Sequence, residues 1–476
     1  MTKDLRTFLA QVVDQLPGDV KVVDSPVERR FGITAWGAAY ARRGQHPAFL
    51  FTNVAGSVTS CITNVAATWE RVALALDMSV ETLRGPGRIG GGRQTFEPVE
   101  VEPNRAPVKE IRWLGDEVDL AQLPIPVHNH ADGGPYLTAA VGVMRDPDSK
   151  RINAGIYRHH VYDSKTMGVW FFGSHHGGTI YRRYEERGEP APIALVIGHH
   201  PAFLIGAVSR VPGIGGEYAL AGALLGEAVE VVKAETSDLM VPARAELVIE
   251  GEVLPEERRE EGPFAEWPGL YVAGGPKPVI RVKAITMRQD AIFQDIQSAG
   301  QEHRLIGALP RIASVQESVS KVVEQLVAVE IPLHSRMHCY ISIKKRNDGE
   351  PTRAAFAALN TEPENLRMIV IVDEDIDVYD EHAVLWAIGT RFDAEHDLQI
   401  IPRWNGPGGL LPTNWTYDEK GGREAVMSSA VIIDATKPSP PIKYPVRAHV
   451  PDEAVQAIRT DLARDMTAGF TPPQVR

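Results

Sequence analysis

The chain has 476 residues, of which 43% are hydrophobic and 24% charged, the composition of a globular protein long enough for two or three domain cores. A formal net charge of −12 without a long Lys/Arg run argues against nucleic acid or an anionic membrane as partner, and no apolar stretch is long enough to span a membrane. Two cysteines, Cys61 and Cys339, give neither a disulfide framework nor a zinc-binding spacing, so a reducing cytoplasm fits.

The first region, residues 1–110, has an α/β pattern. It lacks a secretory signal pattern and opens on helical apolar spacing over 5–16. A strand is predicted over 47–54 and a second helix over 66–83. The proline-flanked stretch 103–107 indicates a linker to the next domain.

A central β domain is predicted over 111–310. Short apolar stretches separated by Gly/Pro turns are typical of a barrel-like sheet with a few inserted helices. The predicted strands cover 136–144, 169–172, 193–197, 246–253 and 279–287.

The last third is predicted to begin with a linker helix over 311–330, from the apolar spacing of 312–329. A C-terminal α/β domain over 331–450 follows, since strand, helix and strand patterns alternate at 368–372, 381–391 and 431–434. Residues 451–476 are assigned to a C-terminal helix, up to about 466, and a tail.

Gly85-Pro-Gly-Arg-Ile-Gly90 matches the G-x-G-x-x-G pattern of dinucleotide-binding loops. Such a loop follows a strand and opens a helix. Here the pattern follows a predicted helix and runs into further glycines, so a flexible loop is the better interpretation.

Two short segments predict a functional site. Asn153-Ala-Gly-Ile-Tyr-Arg158 and, about a hundred residues later, Glu261-Gly-Pro-Phe-Ala-Glu266 supply an amide, a permanent cation and two carboxylates. Such groups are costly to bury unless they satisfy one another or a ligand. If both glutamates share a pocket, repulsion favours the protonated form of one, which can then donate a proton. A nearby arginine can hold the other glutamate ionised or bind a substrate carboxylate.

Histidines and one further glutamate are candidate metal ligands. His175-His176 precedes Gly177-Gly178, which permits close approach of a ligand. Glu217 begins an Ala/Gly/Leu-rich helix. An amide oxygen, an imidazole and a carboxylate suit a hard divalent ion, but spacing alone does not bring Asn153, a histidine and Glu217 together.

These motifs, in this order and spacing, resemble the UbiD-type decarboxylases, which depend on prenylated FMN. The resemblance covers nearly the whole chain. It implies an N-terminal α/β domain, a central split β-barrel of the flavin-reductase kind and a C-terminal α/β domain that mediates oligomerisation. The motifs that carry it are Asn-x-Gly-Ile-Tyr-Arg158, Ser174-His-His-Gly-Gly178, Gly215-Gly-Glu217, Glu261-Gly-Pro-Phe-x-Glu266, Leu247-Val-Ile-Glu-Gly251, Trp386-Ala-Ile-Gly-Thr-Arg391 and Asp434-Ala-Thr-Lys437.

The resemblance also implies roles for individual residues. Arg158, Glu261 and Glu266 match the catalytic network, with Glu266 as proton donor. Asn153, Glu217 and a histidine match ligands of Mn²⁺ or Mg²⁺ under the cofactor phosphate, with K⁺ nearby; His176 is the better match, and His175 remains open. The cofactor contacts are expected from Asn153, Gly155, Ile156, Tyr157, Arg158, His175, His176 and Glu217.

The reaction implied is non-oxidative, reversible decarboxylation of an aromatic, heteroaromatic or α,β-unsaturated acid. A flavin prenyltransferase would supply the cofactor, and a homodimer or homohexamer is expected. The segment Gln301-Glu-His-Arg-Leu-Ile-Gly307 lies where relatives line the substrate pocket. His303 and Arg304 would meet a polar ring atom or second acidic group there, unless Arg304 pairs with Glu302. A catalytically silent flavin-binding subunit and a metal-dependent hydrolase with paired carboxylates are the alternatives.

Overall fold

The structure is a computed structural model that describes residues 2–85, 94–171, 175–209, 216–272, 274–404, 415–417, 423–426, 428–439 and 443–458. Met1–Thr436 form one compact unit, and Lys437–Arg476 are a second unit. Within the described ranges, none of the helices combines the length and the apolar character needed to cross a membrane.

The first 85 residues alternate helices and strands, as predicted. Asp4 caps the first helix by accepting the Thr7 N–H at 2.8 Å. The helix predicted over 66–83 is two helices, because Asp77 takes a left-handed conformation with φ 52° and Ser79 caps a new start. The elements are α1 (Leu5–Gln15), β1 (Val20–Val23), α2 (Gly32–Ala41), β2 (Ala48–Phe51), β3 (Ser60–Thr63), α3 (Trp69–Ala75) and α4 (Val80–Arg84). The glycine-rich pattern after α4 lies largely outside the described residues.

Strands are the most frequent elements in the middle of the chain. Short 3₁₀ turns occupy the predicted linker at 103–107, and the strand predicted over 136–144 is split in two. The elements are β4 (Val99–Glu100), β5 (Ile111–Leu114), β6 (Tyr136–Leu137), β7 (Val141–Arg145), β8 (Ile152–Ile156), β9 (His159–Val161), β10 (Thr166–Val169), α5 (His176–Glu185), β11 (Ala191–Ile197), α6 (Pro201–Val208), α7 (Glu217–Leu225), β12 (Glu230–Lys233), β13 (Met240–Pro242), β14 (Leu247–Glu261), β15 (Phe264–Ala265), β16 (Tyr271–Val272), β17 (Gly275–Met287) and β18 (Ile292–Asp295).

Eight of these strands form a curled half-barrel in the order β6-β9-β10-β17-β14-β11-β7-β8, and β5 pairs with β17. Its longest pair is β14 with β17, which are antiparallel. Residues 256–260 near the end of β14 are exposed, whereas Glu261 at the end of the strand is only 4% exposed. The antiparallel pair β14–β17 thus extends into solvent and returns, so that the carboxylate of Glu261 is buried.

The N-terminal sheet is completed by a distant strand. Its order is β1-β2-β3-β18, and β18 runs parallel to β3, with Phe293 opposite Cys61. One hydrophobic core joins this sheet to the half-barrel, since Phe51 and Phe293 pack in the same buried cluster as Leu195. The predicted boundary near residue 110 therefore does not separate two independent cores.

The last third is an α/β region, as predicted. Its five-stranded sheet has the order β19-β20-β21-β25-β22, with α8 and α9 packing on its core. Its elements are α8 (Gln301–Val319), β19 (Leu326–Glu330), β20 (His338–Ile343), α9 (Glu350–Thr361), β21 (Met368–Asp373), α10 (Glu381–Arg391), β22 (Leu398–Trp404), β23 (Trp415–Tyr417), β24 (Arg423–Val426) and β25 (Ser428–Ala435).

The predicted position of the linker helix, 311–330, is wrong. The helix α8 starts ten residues earlier and contains Pro310, a residue that often ends or kinks a helix. It ends at Val319, and the β-branched Val327 and Val329 belong to strand β19. In the second unit, the helix predicted from 451 to about 466 is shorter in the described residues, where α11 covers Asp452–Gln456; residues from 459 onward lie outside the described part.

Candidate active site

A buried arginine lies at the centre of the site and contacts two glutamates. Arg158 donates from Nε and Nη2 to the two carboxylate oxygens of Glu261, at 2.8 and 2.6 Å. Its Nη1 donates to Glu266 Oε1 at 2.6 Å. The structure therefore brings together the three residues that the sequence singled out from two separate segments.

The two carboxylates keep Arg158 strongly charged. Burial, the largest single effect, acts to lower the pKa of Arg158, but hydrogen bonds and charge from Glu261 and Glu266 together raise it above its ordinary value. With its side chain 6% exposed, this cation is balanced by a bidentate pair and a second carboxylate. Such a buried cluster is stable only when every member is paired.

Aromatic rings cover the guanidinium of Arg158. Its Cζ lies 3.6 Å from the Trp170 ring centroid and 4.9 Å from that of Phe264, distances at which the ring quadrupole attracts a cation. Neither contact was predicted from the sequence. Phe264 lies inside the Glu261–Glu266 motif, so its place near the site could have been inferred. Trp170 is positioned by strand pairing, in which the Trp170 N–H donates to the Arg158 carbonyl at 3.3 Å.

The segment between Glu261 and Glu266 is an ordered turn, as predicted. Its backbone packs so closely on Gly133 that a Cβ there would lie 2.3 Å from the Gly262 Cα. Tyr136 donates from its hydroxyl to the Gly262 carbonyl at 2.9 Å. Phe264 and Ala265 then form strand β15, which pairs with β16, so Glu266 is held at the start of a hairpin turn.

The Asn153–Arg158 segment forms strand β8 and the two residues after it. Asn153 and Tyr157 are both buried, and Asn153 Nδ2 donates to the Tyr157 hydroxyl at 3.1 Å. The same hydroxyl accepts the Gly177 N–H at 3.2 Å, which ties β8 to α5. Gly155 and Gly177 make room for this ring, since a Cβ at either would lie 2.7 or 2.5 Å from the Tyr157 hydroxyl.

Two helices begin near this strand. His176 is the first residue of α5 and Glu217 the first of α7, and both helices pack against β8. Gly216 precedes Glu217 with φ 113°, a conformation that requires glycine. Burial raises the pKa of Glu217, while the charge of His176 acts to lower it. The structure thus brings His176 and Glu217 within electrostatic range, while His175 lies against Tyr157 with ring centroids 5.9 Å apart.

The predicted pocket segment forms the start of α8. Arg304 donates from Nε to the Trp267 carbonyl at 3.0 Å, and among the described ion pairs it has none with Glu302. Arg336, which the sequence analysis missed, lies 4.2 Å above the Trp267 ring and donates to the His303 carbonyl at 3.1 Å. Two arginines therefore flank the residue that follows Glu266.

His303 is a neutral side chain. Burial, reinforced by the charge of Arg336, lowers the pKa of His303 to about 3. Its Nδ1 accepts the Ala299 N–H at 3.2 Å, which leaves the proton on Nε2. His303 can therefore donate one hydrogen bond to a ligand.

Comparison with known proteins identifies relatives over the whole of this architecture. Three family models match in succession, all for 3-octaprenyl-4-hydroxybenzoate carboxy-lyase (UbiD): the N-terminal domain over residues 15–84, the Rift-related domain over 99–301 and the C-terminal domain over 304–434. Anhydromevalonate phosphate decarboxylase from Methanothermobacter thermautotrophicus is 32% identical over 408 residues, 84% of this chain and 91% of that protein.

Solved structures resemble the chain equally broadly. The UbiD-class enzyme HmfF from Pelotomaculum thermopropionicum, in complex with FMN, has a TM-score of 0.87 and 33% identity and covers 96% of this chain and 99% of its own. An evolved dimeric form of HmfF in complex with prFMN has a TM-score of 0.82 and 32% identity, with coverage of 93% and 97%. Apo 3,4-dihydroxybenzoic acid decarboxylase (AroY) from Klebsiella pneumoniae has a TM-score of 0.85 and 28% identity, with coverage of 95% and 99%.

Removing the central cation should destabilise the protein in a pH-dependent way. In Arg158→Ala, Glu261 is left buried without its cation, so we expect a loss of about 3–5 kcal/mol at neutral pH. The loss should shrink at acidic pH, because a protonated Glu261 needs no counter-charge. Urea unfolding at several pH values measures it. Arg259→Ala, which removes an exposed pair with Asp163, serves as control and should cost about 1 kcal/mol or less; equal losses would contradict the argument.

Glu302 should make stability fall as pH rises. Burial is the largest of the effects that raise its pKa from 4.5 to about 7. Between pH 4.5 and about pH 7 the folded state therefore holds a proton that the unfolded chain has released. The free energy of unfolding falls across this pH range, by about 3 kcal/mol in all, since each pKa unit is worth about 1.4 kcal/mol. Glu302→Gln should remove this decline, whereas Glu317→Gln on the exposed side of α8 should not. Unfolding curves at pH 5 and 8 test it; identical pH dependence in all three proteins would refute it.

Proposed function

The chain belongs to the UbiD family of carboxy-lyases, and from that premise we propose that it decarboxylates a small aromatic, heteroaromatic or α,β-unsaturated acid with prenylated FMN as cofactor. The reaction is reversible and non-oxidative. The proposal rests on one observation: Arg158 forms ion pairs with both Glu261 and Glu266. One permanent cation and two carboxylates, placed together in a buried site, can bind an acid and return a proton.

The residues around β8 suit a flavin phosphate. Two helices begin beside this strand, and the first N–H groups of a helix favour an anion. Asn153, Gly155, Ile156, Tyr157, Arg158, His175, His176 and Glu217 are the proposed cofactor contacts. When bound, prenylated FMN supplies the electron sink for the carbanion that loss of CO₂ leaves behind. The central sheet is accordingly proposed to be a split barrel of the flavin-reductase kind.

A divalent ion, Mn²⁺ or Mg²⁺, would be held by Asn153, His176 and Glu217. Because Asn153 Nδ2 donates to Tyr157, its Oδ1 is the atom that can face a cation. Glu217 is made costly to ionise by burial, a cost that a bound cation would offset. His176 is preferred to His175 by its spacing from Asn153, and the His175 ring lies against Tyr157 with centroids 5.9 Å apart. K⁺ is proposed close to the same glutamate.

Arg158 would orient the substrate. A guanidinium has five N–H groups, and the two glutamates take three of them. The remaining two, one on each Nη, can donate to the substrate carboxylate that is to be lost. Glu261 fixes the plane of the guanidinium through its bidentate contact, and Trp170 covers its face.

Glu266 is the proposed proton donor. Its single contact with Arg158 Nη1 is more easily exchanged than the bidentate contact of Glu261. A substrate carboxylate bound at the remaining N–H of Nη1 would place a like charge beside Glu266, which favours the protonated form of Glu266. Glu266 can then deliver that proton to the carbon from which CO₂ departs.

The substrate is proposed to carry a second polar or acidic group. Arg304 and Arg336 contact Trp267, which follows Glu266 in the sequence, and Arg336 also contacts the carbonyl of the neutral donor His303. Among the relatives, one is named for a phosphorylated substrate and another for a dihydroxybenzoic acid, so substrates with additional polar groups occur in similar proteins. Carbonyl contacts use only part of the donor capacity of the two arginines.

A paired-carboxylate hydrolase fits the site less well, because both glutamates are bound to one arginine instead of facing a water between them. The remaining alternative is a flavin-binding subunit without activity of its own. We further propose a cytoplasmic homodimer or homohexamer that obtains its cofactor from a flavin prenyltransferase.

The role of Glu266 can be tested directly. After co-expression with a flavin prenyltransferase, Glu266→Gln should retain the flavin absorbance but lose decarboxylation by roughly 100-fold or more, the usual scale of general acid catalysis. CO₂ release from a panel of aromatic acids and flavin content are measured together. Glu260→Gln, six residues away and exposed, should behave as wild type. Full activity in Glu266→Gln would exclude the proton-donor role, and an inactive, flavin-loaded wild type would favour the silent subunit.

Arg304→Ala should change substrate preference. Loss of a charge-assisted hydrogen bond of about 1.5–3 kcal/mol should raise KM roughly 10-fold or more for acids with a second acidic group, with a small effect on simple monocarboxylates. Steady-state kinetics on matched mono- and dicarboxylic acids provide the measurement. Arg353→Ala, exposed on α9, is the control. Equal loss on both substrate classes would assign Arg304 a structural role only.

A further inference from the structure

Two histidines and a glutamate meet in the C-terminal α/β region, at residues that the proposed reaction does not use. One ligand atom from each of His334, His338 and Glu381 lies within 4.8 Å of the other two. His334 Nδ1 is 3.7 Å and His338 Nε2 4.0 Å from Glu381 Oε1. In the described ranges of the chain, this is the one group of three such side chains close enough to share an ion.

The backbone positions all three side chains. His338 is the first residue of β20 and Glu381 the first of α10, while His334 lies in the turn that leads into β20. The His334 and His338 rings have centroids 5.0 Å apart. Ligand atoms around a tetrahedral zinc ion, with bonds of about 2.0–2.2 Å, lie about 3.3–3.6 Å apart. The two observed distances to Glu381 need only a small side-chain adjustment to reach that range.

Neighbouring side chains orient two of the three ligands. Ser335 Oγ lies 2.8 Å from His338 Nδ1; with the proton on Nδ1, the lone pair of Nε2 faces Glu381. Tyr340, two residues along the same strand, donates from its hydroxyl to Glu381 Oε1 at 3.2 Å. Metal-binding imidazoles and carboxylates commonly have such supporting hydrogen bonds.

We propose that His334, His338 and Glu381 bind one divalent transition-metal ion of the zinc type. Two imidazoles and a carboxylate are the donors this class prefers. The His334 side chain is 57% exposed, so water can complete the coordination. The ion would join the β19–β20 turn to the start of α10. Arg336 lies in that turn with φ 53° and reaches His303 and Trp267, so the ion would also fix the turn that carries Arg336.

Metal titration of the full-length protein tests the site. After chelator treatment, Zn²⁺ binding is followed by calorimetry and Co²⁺ binding by visible absorbance. We expect His334→Ala to lose one equivalent of tight binding relative to wild type. Ser335→Ala should weaken the same equivalent by about 10–100-fold, the effect of losing an outer-shell partner. The matched control is His382→Ala, one residue beyond Glu381 with its side chain 99% exposed, which should bind as wild type.

The titration is repeated in Glu217→Gln, which removes a proposed ligand of the ion near β8. The zinc equivalent bound by His334, His338 and Glu381 should still be present in this variant, which distinguishes the two ions. His334 is exposed, so its variant should keep the wild-type unfolding midpoint without metal. Unchanged stoichiometry and affinity in His334→Ala would overturn the proposal. Equal weakening in His382→Ala would also overturn it, by showing nonspecific surface binding.

Discussion

A buried guanidinium between two carboxylates is the interaction on which the site depends. None of the three charges is stable alone in this environment, since an unpaired buried ion costs several kcal/mol. Arg158 follows the short strand β8, Glu261 ends the long strand β14, and Glu266 follows β15. Glu261 and Glu266 lie on one loop, which is held in place at Gly262 by the backbone of Gly133 and the hydroxyl of Tyr136. The curled sheet thus fixes three charges within hydrogen-bond reach of one another.

Much of this site could be predicted from the sequence, for a physical reason. The Glu261–Glu266 motif contains glycine and proline and cannot continue a helix, so its two carboxylates had to lie on an ordered turn. Arg158 cannot lose its charge and needs partners. What could not be predicted were the covering rings and Arg336. Trp170 reaches Arg158 through the pairing of β9 with β10. Arg336 reaches Trp267 and His303 because its turn packs on α8. Both require the register and tertiary contacts that local patterns do not contain.

The fold was predictable to the same extent. Local helices such as α1 and α10 were found within a residue, because capping and apolar spacing are local signals. The linker helix was misplaced because helical spacing runs on past Val319 into residues that form β19. The proposed ligand pair His334 and His338 had only a weak signal, two histidines four residues apart. Glu381 approaches them only because α10 packs on the sheet, so the cluster is visible only in the folded chain.

Strand β18 bears on how the protein is made. The ribosome releases β3 more than two hundred residues before its parallel neighbour β18. Until then β3 has an unpaired edge and Phe51 lacks part of its core, a state open to wrong pairing with other chains. A gene fragment cut near codon 110 would encode this incomplete state permanently. The N-terminal region is therefore best regarded as a late-closing part of one folding unit, whose completion waits for synthesis of the half-barrel.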